Sequence, residues 1–150
     1  MAEGITGPGK DKGESEDFPH KELTNQIIRA AFQVSNTLGC GFLEKVYENA
    51  LAVELRSQDL NVQQQVPVRV LYRGQTVGDY CVDMIVQRTV LIETKAAEKD
   101  SPIFIAQTLN YLKATGLPVG LVLNFGQPRL SYRRLALTRR ANHPEQDSSA

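Results

Sequence analysis

The apolar residues change period part-way along the chain, and that change limits the fold more than any other feature. In "ELTNQIIRAAFQVSNTL" (22–38), Ile27, Ile28, Ala31, Val34 and Leu38 recur at helical spacing. "GCG" (39–41) ends that run. A second run from Phe42 to about Gln58 places Leu43, Val46, Tyr47, Ala50, Leu51 and Leu55 on one broad face. Beyond residue 60 the spacing becomes that of strands. "VPVRVLY" (66–72) alternates, with Pro67 acceptable at a strand start or edge. "RGQT" turns the chain into "VGDYCVDMIV" (77–86), and "QRT" turns it again into "VLIETKA" (90–96). This predicts two helices followed by a three-stranded antiparallel meander.

The remainder alternates helix and strand. Ser101 is suited to cap a helix whose first residue is Pro102, running to about Ala114 with Gly116 as its stop. "PVGLVLNF" (118–125) reads as a buried strand and "RLSYRRLAL" (129–137) as a more exposed one. The order α-α-β-β-β-α-β-β predicts an α/β fold: a mixed sheet, meander plus returning strands, flanked by helices. No repeat or interior linker divides it, so residues 21–140 form one expected domain. The segments 1–20 and 141–150 are polar and rich in Gly, Ser, Pro or charge, and are expected to be disordered. An exposed last strand offers an edge at which a second copy could pair.

Charge and cysteine narrow the class. The net charge of zero hides a division: −3 in residues 1–20, −2 in residues 141–150 and +5 between them. The expected domain is therefore mildly basic, as a polyanion binder would be, although many unrelated enzymes are equally so. No apolar run approaches the roughly 18 residues of a membrane span, and the N-terminus lacks the apolar centre of a signal peptide. Cys40 and Cys81 form no CxxC pair and read as reduced cytoplasmic thiols. The two histidines, His20 and His143, fall in the expected tails, which argues against imidazole catalysis or a zinc site built on histidine. There is no Walker A loop and no GxGxxG. Carboxylates and lysine remain.

Glu93 and Lys95 interrupt the apolar strand at 90–96. Two residues apart on a strand, they leave the same face. An odd hairpin loop centred on Arg88 sets Asp83 directly opposite Glu93; an even, two-residue loop sends Asp83 to the other face. In the odd register two carboxylates lie side by side, which requires a cation between them or a proton on one of them. Phosphodiester hydrolysis aided by Mg²⁺ (or Mn²⁺) fits that set, with the ammonium of Lys95 orienting the attacking water or offsetting transition-state charge. A structural ion pair on a half-exposed strand is the simpler reading of Glu93 and Lys95, but it leaves Asp83 unexplained. Glu44 falls on the apolar arc of the second helix with Tyr47 as its neighbour, and Glu54 shares that arc without an assignable role. Gln107 and Tyr111, four apart on the later helix, are placed to reach a bound water, a phosphate or Lys95.

"GFLEKVY" (Gly41, Glu44, Tyr47) is similar to the G-x-x-E-x-x-Y motif of a family of small bacterial proteins within the PD-(D/E)XK nuclease superfamily. The resemblance spans roughly residues 22–137. It includes Asp83, Glu93-Thr94-Lys95 and Gln107-x-x-x-Tyr111, which is similar to the last motif of RecB-type exonucleases, and "LNYLKATGLPVGLVLNFG" (109–126). It implies a nuclease acting on nucleic acid, with DNA as the expected substrate. Asp83, Glu93 and Glu44 would hold the metal, Lys95 would assist the nucleophile, and Gln107 and Tyr111 would shape the phosphate pocket. It also supports the odd register. Cys40, where proline is expected, and Thr94, where an apolar residue is commoner, depart from the pattern. The competing expectation is an idle nuclease-fold module that binds nucleic acid or a protein partner.

Overall fold

The computed structural model describes residues 18–137. The expected tails and His143 therefore lie outside the described residues, except for Phe18, Pro19 and His20. These three form a bend and turn into the first helix, and Phe18 packs against the core.

The elements follow in the expected order: α1 (Lys21–Leu38), α2 (Glu44–Arg56), β1 (Val62–Tyr72), β2 (Gln75–Val86), β3 (Val90–Lys95), α3 (Pro102–Thr115), β4 (Val119–Asn124) and β5 (Ser131–Leu135). α1 ends where Gly39 donates its N–H to Ser35 O. α3 begins as its sequence predicts, with the Ser101 side chain accepting from Ile103 N–H and Pro102 at the first position; Gly116 ends it at φ +76°. Two boundaries differ. α2 is two residues shorter at each end than its periodicity, and β1 begins four residues before "VPVRVLY", through "VQQQ". Three glutamines carry no apolar alternation, so that part of the strand shows no signal at the sequence level.

The five strands form one sheet in the order β1-β2-β3-β4-β5. β3 and β4 are parallel and joined by α3; the other neighbours are antiparallel. Helices cover both faces. Val90 and Ile92 of β3 and Leu121 and Leu123 of β4 pack with Ile27, Ile28, Tyr47, Leu51 and Leu55 of α1 and α2. Leu91 and Val122 point the opposite way and pack with Leu112 and its neighbours on α3. α3 lies close against the sheet at Gly120, where a Cβ would come within 3.2 Å of Thr108 Cγ2 and 3.3 Å of Leu112 Cδ1.

The β1–β2 pair is irregular at two places, a register shift between Val70 and Leu71 and a break in alternation nearer β3. Gln64 and its partner Met84 face α1 and α2, whereas Val66 and its partner Val82, also even-numbered, pack on the α3 side. The switch occurs at Gln65, held at φ +51°. An L-residue in the left-handed region marks a special position, and here it reverses the face of everything beyond it. The outer part of the β1–β2 hairpin, closed by Arg73–Gly74 at φ +55° and +79°, therefore turns toward α3.

Candidate active site

The loop between β2 and β3 is odd. Met84, Ile85 and Val86 pair with Ile92, Leu91 and Val90, leaving Gln87, Arg88 and Thr89 as the loop, with Arg88 at its centre. Asp83 and Glu93 are next in line, but the ladder stops before them. Their carboxylates take the backbone donors instead: Asp83 N–H donates to Glu93 Oε2 (3.1 Å), and Thr94 N–H donates to Asp83 Oδ2 (2.8 Å). The Thr94 hydroxyl adds a second bond to the same oxygen at 2.9 Å, so this departure from the family pattern has a structural use. The strands have separated and two acids line the gap.

Glu93 is only 6% exposed. Burial, and then the neighbouring charge of Asp83, push its pKa up to about 8 against the partial opposition of the Asp83 N–H and of Lys95. Lys95 sits at the half-exposed end of β3, its Nζ donating to Gln107 Oε1 at 3.3 Å and lying 4.8 Å from the centre of the Phe104 ring. The chain after it is pinned from below. Phe125 N–H donates to Lys95 O, and Asn124 Oδ1 accepts from Ala97 and Gly126 N–H. Gly126 approaches the Ala96–Ala97 backbone so closely that no Cβ would fit.

Glu44 comes from the opposite side, as the first residue of α2. It is exposed as a residue, because the helix start overhangs the end of the sheet. Partial burial of the carboxyl still raises its pKa; Lys95 lowers it, Asp83 raises it, and a hydrogen bond from Ala96 N–H lowers it. Tyr47, in contrast, is fully buried. It stacks on Phe125 (centroids 4.8 Å apart, planes at 8°), donates to Gly39 O at 2.6 Å and accepts from Phe42 N–H at 3.1 Å. It fixes the α1–α2 connection and hence where Glu44 starts its helix. Tyr111 adjoins the acids from α3. Burial, followed by the charges of Glu93, the neighbouring Tyr80 and Asp83, raises its phenol above the usual range.

All six residues singled out in the sequence thus meet at one end of the sheet. Sequence reasoning missed two others. Glu48, 2% exposed, accepts from Lys45 (3.1 Å), Gln64 (2.8 Å) and Gln65 (3.0 Å). Gln65 Nε2 also reaches Asp83 Oδ1 at 3.3 Å, linking this buried acid to the site. Glu48 lies four residues after Glu44 and between Leu55 and Ala52 in angle, which was the available signal. Glu54, on the same nominal arc, is only half-buried and accepts from Gln58.

The donor set is chemically that of a hard divalent cation: carboxylate oxygens only, crowded enough to raise a pKa. The fit is incomplete in position. Among the described residues no three acidic, cysteine or histidine side chains converge as a ready ligand cluster. Asp83 Oδ2 and Glu93 Oε2 accept from backbone donors, which fix the two carboxylates in place while leaving each a second oxygen.

A family model described as the PD-(D/E)XK nuclease superfamily matches residues 21–135. No curated protein matches the chain. Among solved structures, one described as SSO0001 is similar at 19% identity over 81% of this chain and 60% of its own, with a TM-score of 0.47. An alkaline exonuclease (LHK-Exo) from Laribacter hongkongensis is similar at 14% identity over 83% and 76%, with a TM-score of 0.49. The chain thus spans about three fifths of the length of the first of these two.

Proposed function

Because the chain belongs to the PD-(D/E)XK nuclease superfamily, we propose that it is a divalent-metal-dependent nuclease that hydrolyses phosphodiester bonds of DNA. The observation that carries this reading is the buried Glu93 beside Asp83 with Lys95 at the mouth, a charge arrangement that a structural ion pair does not require. Asp83 and Glu93, joined by Glu44, are the residues that would hold Mg²⁺ or Mn²⁺. A cation there supplies Lewis acidity toward the phosphate and a lowered pKa for bound water.

The side chains divide the remaining work. Lys95, steadied by Gln107 Oε1 and the Phe104 ring, keeps an ammonium donor close enough to act on the charges of Glu44 and Glu93, and its role is to orient the attacking water. Gln107 retains its amide NH₂ for a phosphate oxygen. Tyr111, its phenol held protonated, is a second neutral donor to that oxygen. Both cysteines are free and exposed, which agrees with a reducing cytoplasm, and no helix of the described residues is long and apolar enough to cross a membrane.

The test is cleavage of supercoiled plasmid, linear duplex and single-stranded oligonucleotide at low salt with Mg²⁺ or Mn²⁺. Lys95→Ala and Asp83→Ala proteins are prepared identically. The wild type should cut, and each variant should lose about 10²–10³-fold in rate. Equal cleavage by all three would reject the assignment. A second reading, an idle module that binds nucleic acid or a protein partner, is favoured by the lack of a converged ligand cluster among the described residues. It predicts nucleic-acid binding without turnover when the metal is present.

A further inference from the structure

The turned-over β1–β2 hairpin does not close against α3. A groove of about 620 Å³ separates them, lined by Arg69 and neighbouring residues of β1, Tyr80 of β2, and Gln107, Asn110, Tyr111 and Lys113 of α3. Three features of this groove belong together. Its inner end is shared with the catalytic site, because Gln107 holds Lys95 and Tyr111 adjoins the acids. Its outer end is cationic: Lys113 is exposed, has no ion-pair partner among the described residues, and no acid lines the groove. Arg69 borders the groove from β1, but it follows the inward Val68, so its side chain leaves the other face of the strand beside Asp79. Between the two ends stands Tyr80, 52% exposed, its ring 5.9 Å from that of Tyr111 and tilted by 54°, so that one face stays open.

A cationic rim, an open aromatic face and amide side chains in a row are the means by which proteins hold single-stranded nucleic acid without reading its sequence. The volume is that of a pocket for a small ligand, enough for a short length of single strand. We propose that the groove between the β1–β2 hairpin and α3 binds the single strand next to the bond to be cut, with Tyr80 stacking a base and Lys113 on its phosphates. This rests on the nuclease reading for its direction toward Lys95, and it specifies the substrate as a single strand or a frayed end. The break in alternation at Gln65 gains a purpose from it, since an unbroken hairpin would present Tyr80 to the other side of the sheet.

The experiment reads binding without turnover. Fluorescence anisotropy with labelled oligo(dT), oligo(U) and a blunt duplex of equal length is measured in EDTA and again in Ca²⁺, on the full chain. The wild type should bind one or both single strands more tightly than the duplex, and the two oligonucleotides tell DNA from RNA. Lys113→Ala should weaken single-strand binding about five- to tenfold at low salt and lower the salt dependence by about 0.7 in log–log slope. Tyr80→Ala should weaken it about tenfold, with Tyr80→Phe restoring it because the ring does the stacking. Unchanged melting temperatures confirm that each variant is folded. Alanine variants that bind as the wild type does, a preference for duplex, or no single-strand binding in either condition would each overturn the proposal. The nuclease reading fails separately: a chain that binds through the groove but never cuts sinks the enzyme and leaves the groove. A chain that cuts single strands equally well with Tyr80→Ala and Lys113→Ala sinks the groove alone.

Discussion

The inner and outer ends of the β2–β3 pair share two strands and one register, yet they obey different rules. From Met84 to Val86 and Val90 to Ile92 the strands are regularly paired and every side chain is apolar and buried. One step further, at Asp83 and Glu93, the ladder opens and two acids fill the gap with backbone donors as their partners. The inner end stabilises the fold. The outer end spends part of that stability on charge held near other charge, which lasts only because the inner end and the pinned Lys95–Ala97 segment fix the strands on either side. Local strain beside a rigid support is common at functional sites.

The sharpest way to break this comparison is to truncate adjacent residues of β3 on either side of the boundary. Ile92→Ala should cost about 2–5 kcal/mol of stability, measured by denaturant unfolding, while leaving cleavage per folded molecule close to that of the wild type. Glu93→Ala should do the reverse: cleavage falls by about 10²–10³-fold and the unfolding midpoint moves little, since a desolvated carboxyl is lost along with its hydrogen bond. Loss of activity without loss of stability in Ile92→Ala would erase the boundary drawn here.

Local alternation narrowed the β2–β3 register to two arrangements, and the resemblance supported the odd one that the structure has, in which Asp83, Glu93 and Lys95 share a face. The positions of α1, α2 and α3 were readable from the sequence itself: local spacing, capping residues and glycines carry them. Three things were not. The face switch at Gln65 depends on a left-handed residue that no composition signals. The burial of Glu48 depends on Gln64 and Gln65, sixteen and seventeen residues away on a strand whose polar start hid it. The opening of the ladder depends on side chains competing with backbone acceptors, an outcome decided by packing and not by periodicity.

Tyr47 sharpens the comparison from the α2 side, because it lies in the motif that resembles a functional one while the structure gives it a supporting task. Tyr47→Phe keeps the stack on Phe125 and removes the hydroxyl that joins Gly39 O to Phe42 N–H. Stability should fall by about 1–2 kcal/mol in denaturant unfolding. Cleavage should fall by a smaller factor than in Glu93→Ala, through displacement of Glu44. An unaltered midpoint with abolished cleavage would instead make the hydroxyl part of the chemistry.

The smallest effect tests the outer end by itself, with no substrate present. The Glu93 carboxyl has its pKa raised from 4.5 to about 8 in the folded chain, so between those pH values the folded state retains a proton that the unfolded state has released. Stability of the metal-free protein must therefore decline as pH climbs through that window and level off above it. The site mouth is open to water, so we expect a decline of about 1 kcal/mol, or ~2–4 °C in melting temperature. Glu93→Gln keeps an oxygen for the Asp83 N–H and cannot ionise, so most of the decline should vanish. What remains belongs to Glu44, whose pKa is raised in the same sense. A divalent cation added to the wild type at pH 8 should restore the lost stability, and added to Glu93→Gln should restore less. If wild type and variant instead melt in parallel across the whole range, Glu93 is ionised in the folded chain without penalty, and the outer end is as comfortable as the inner one.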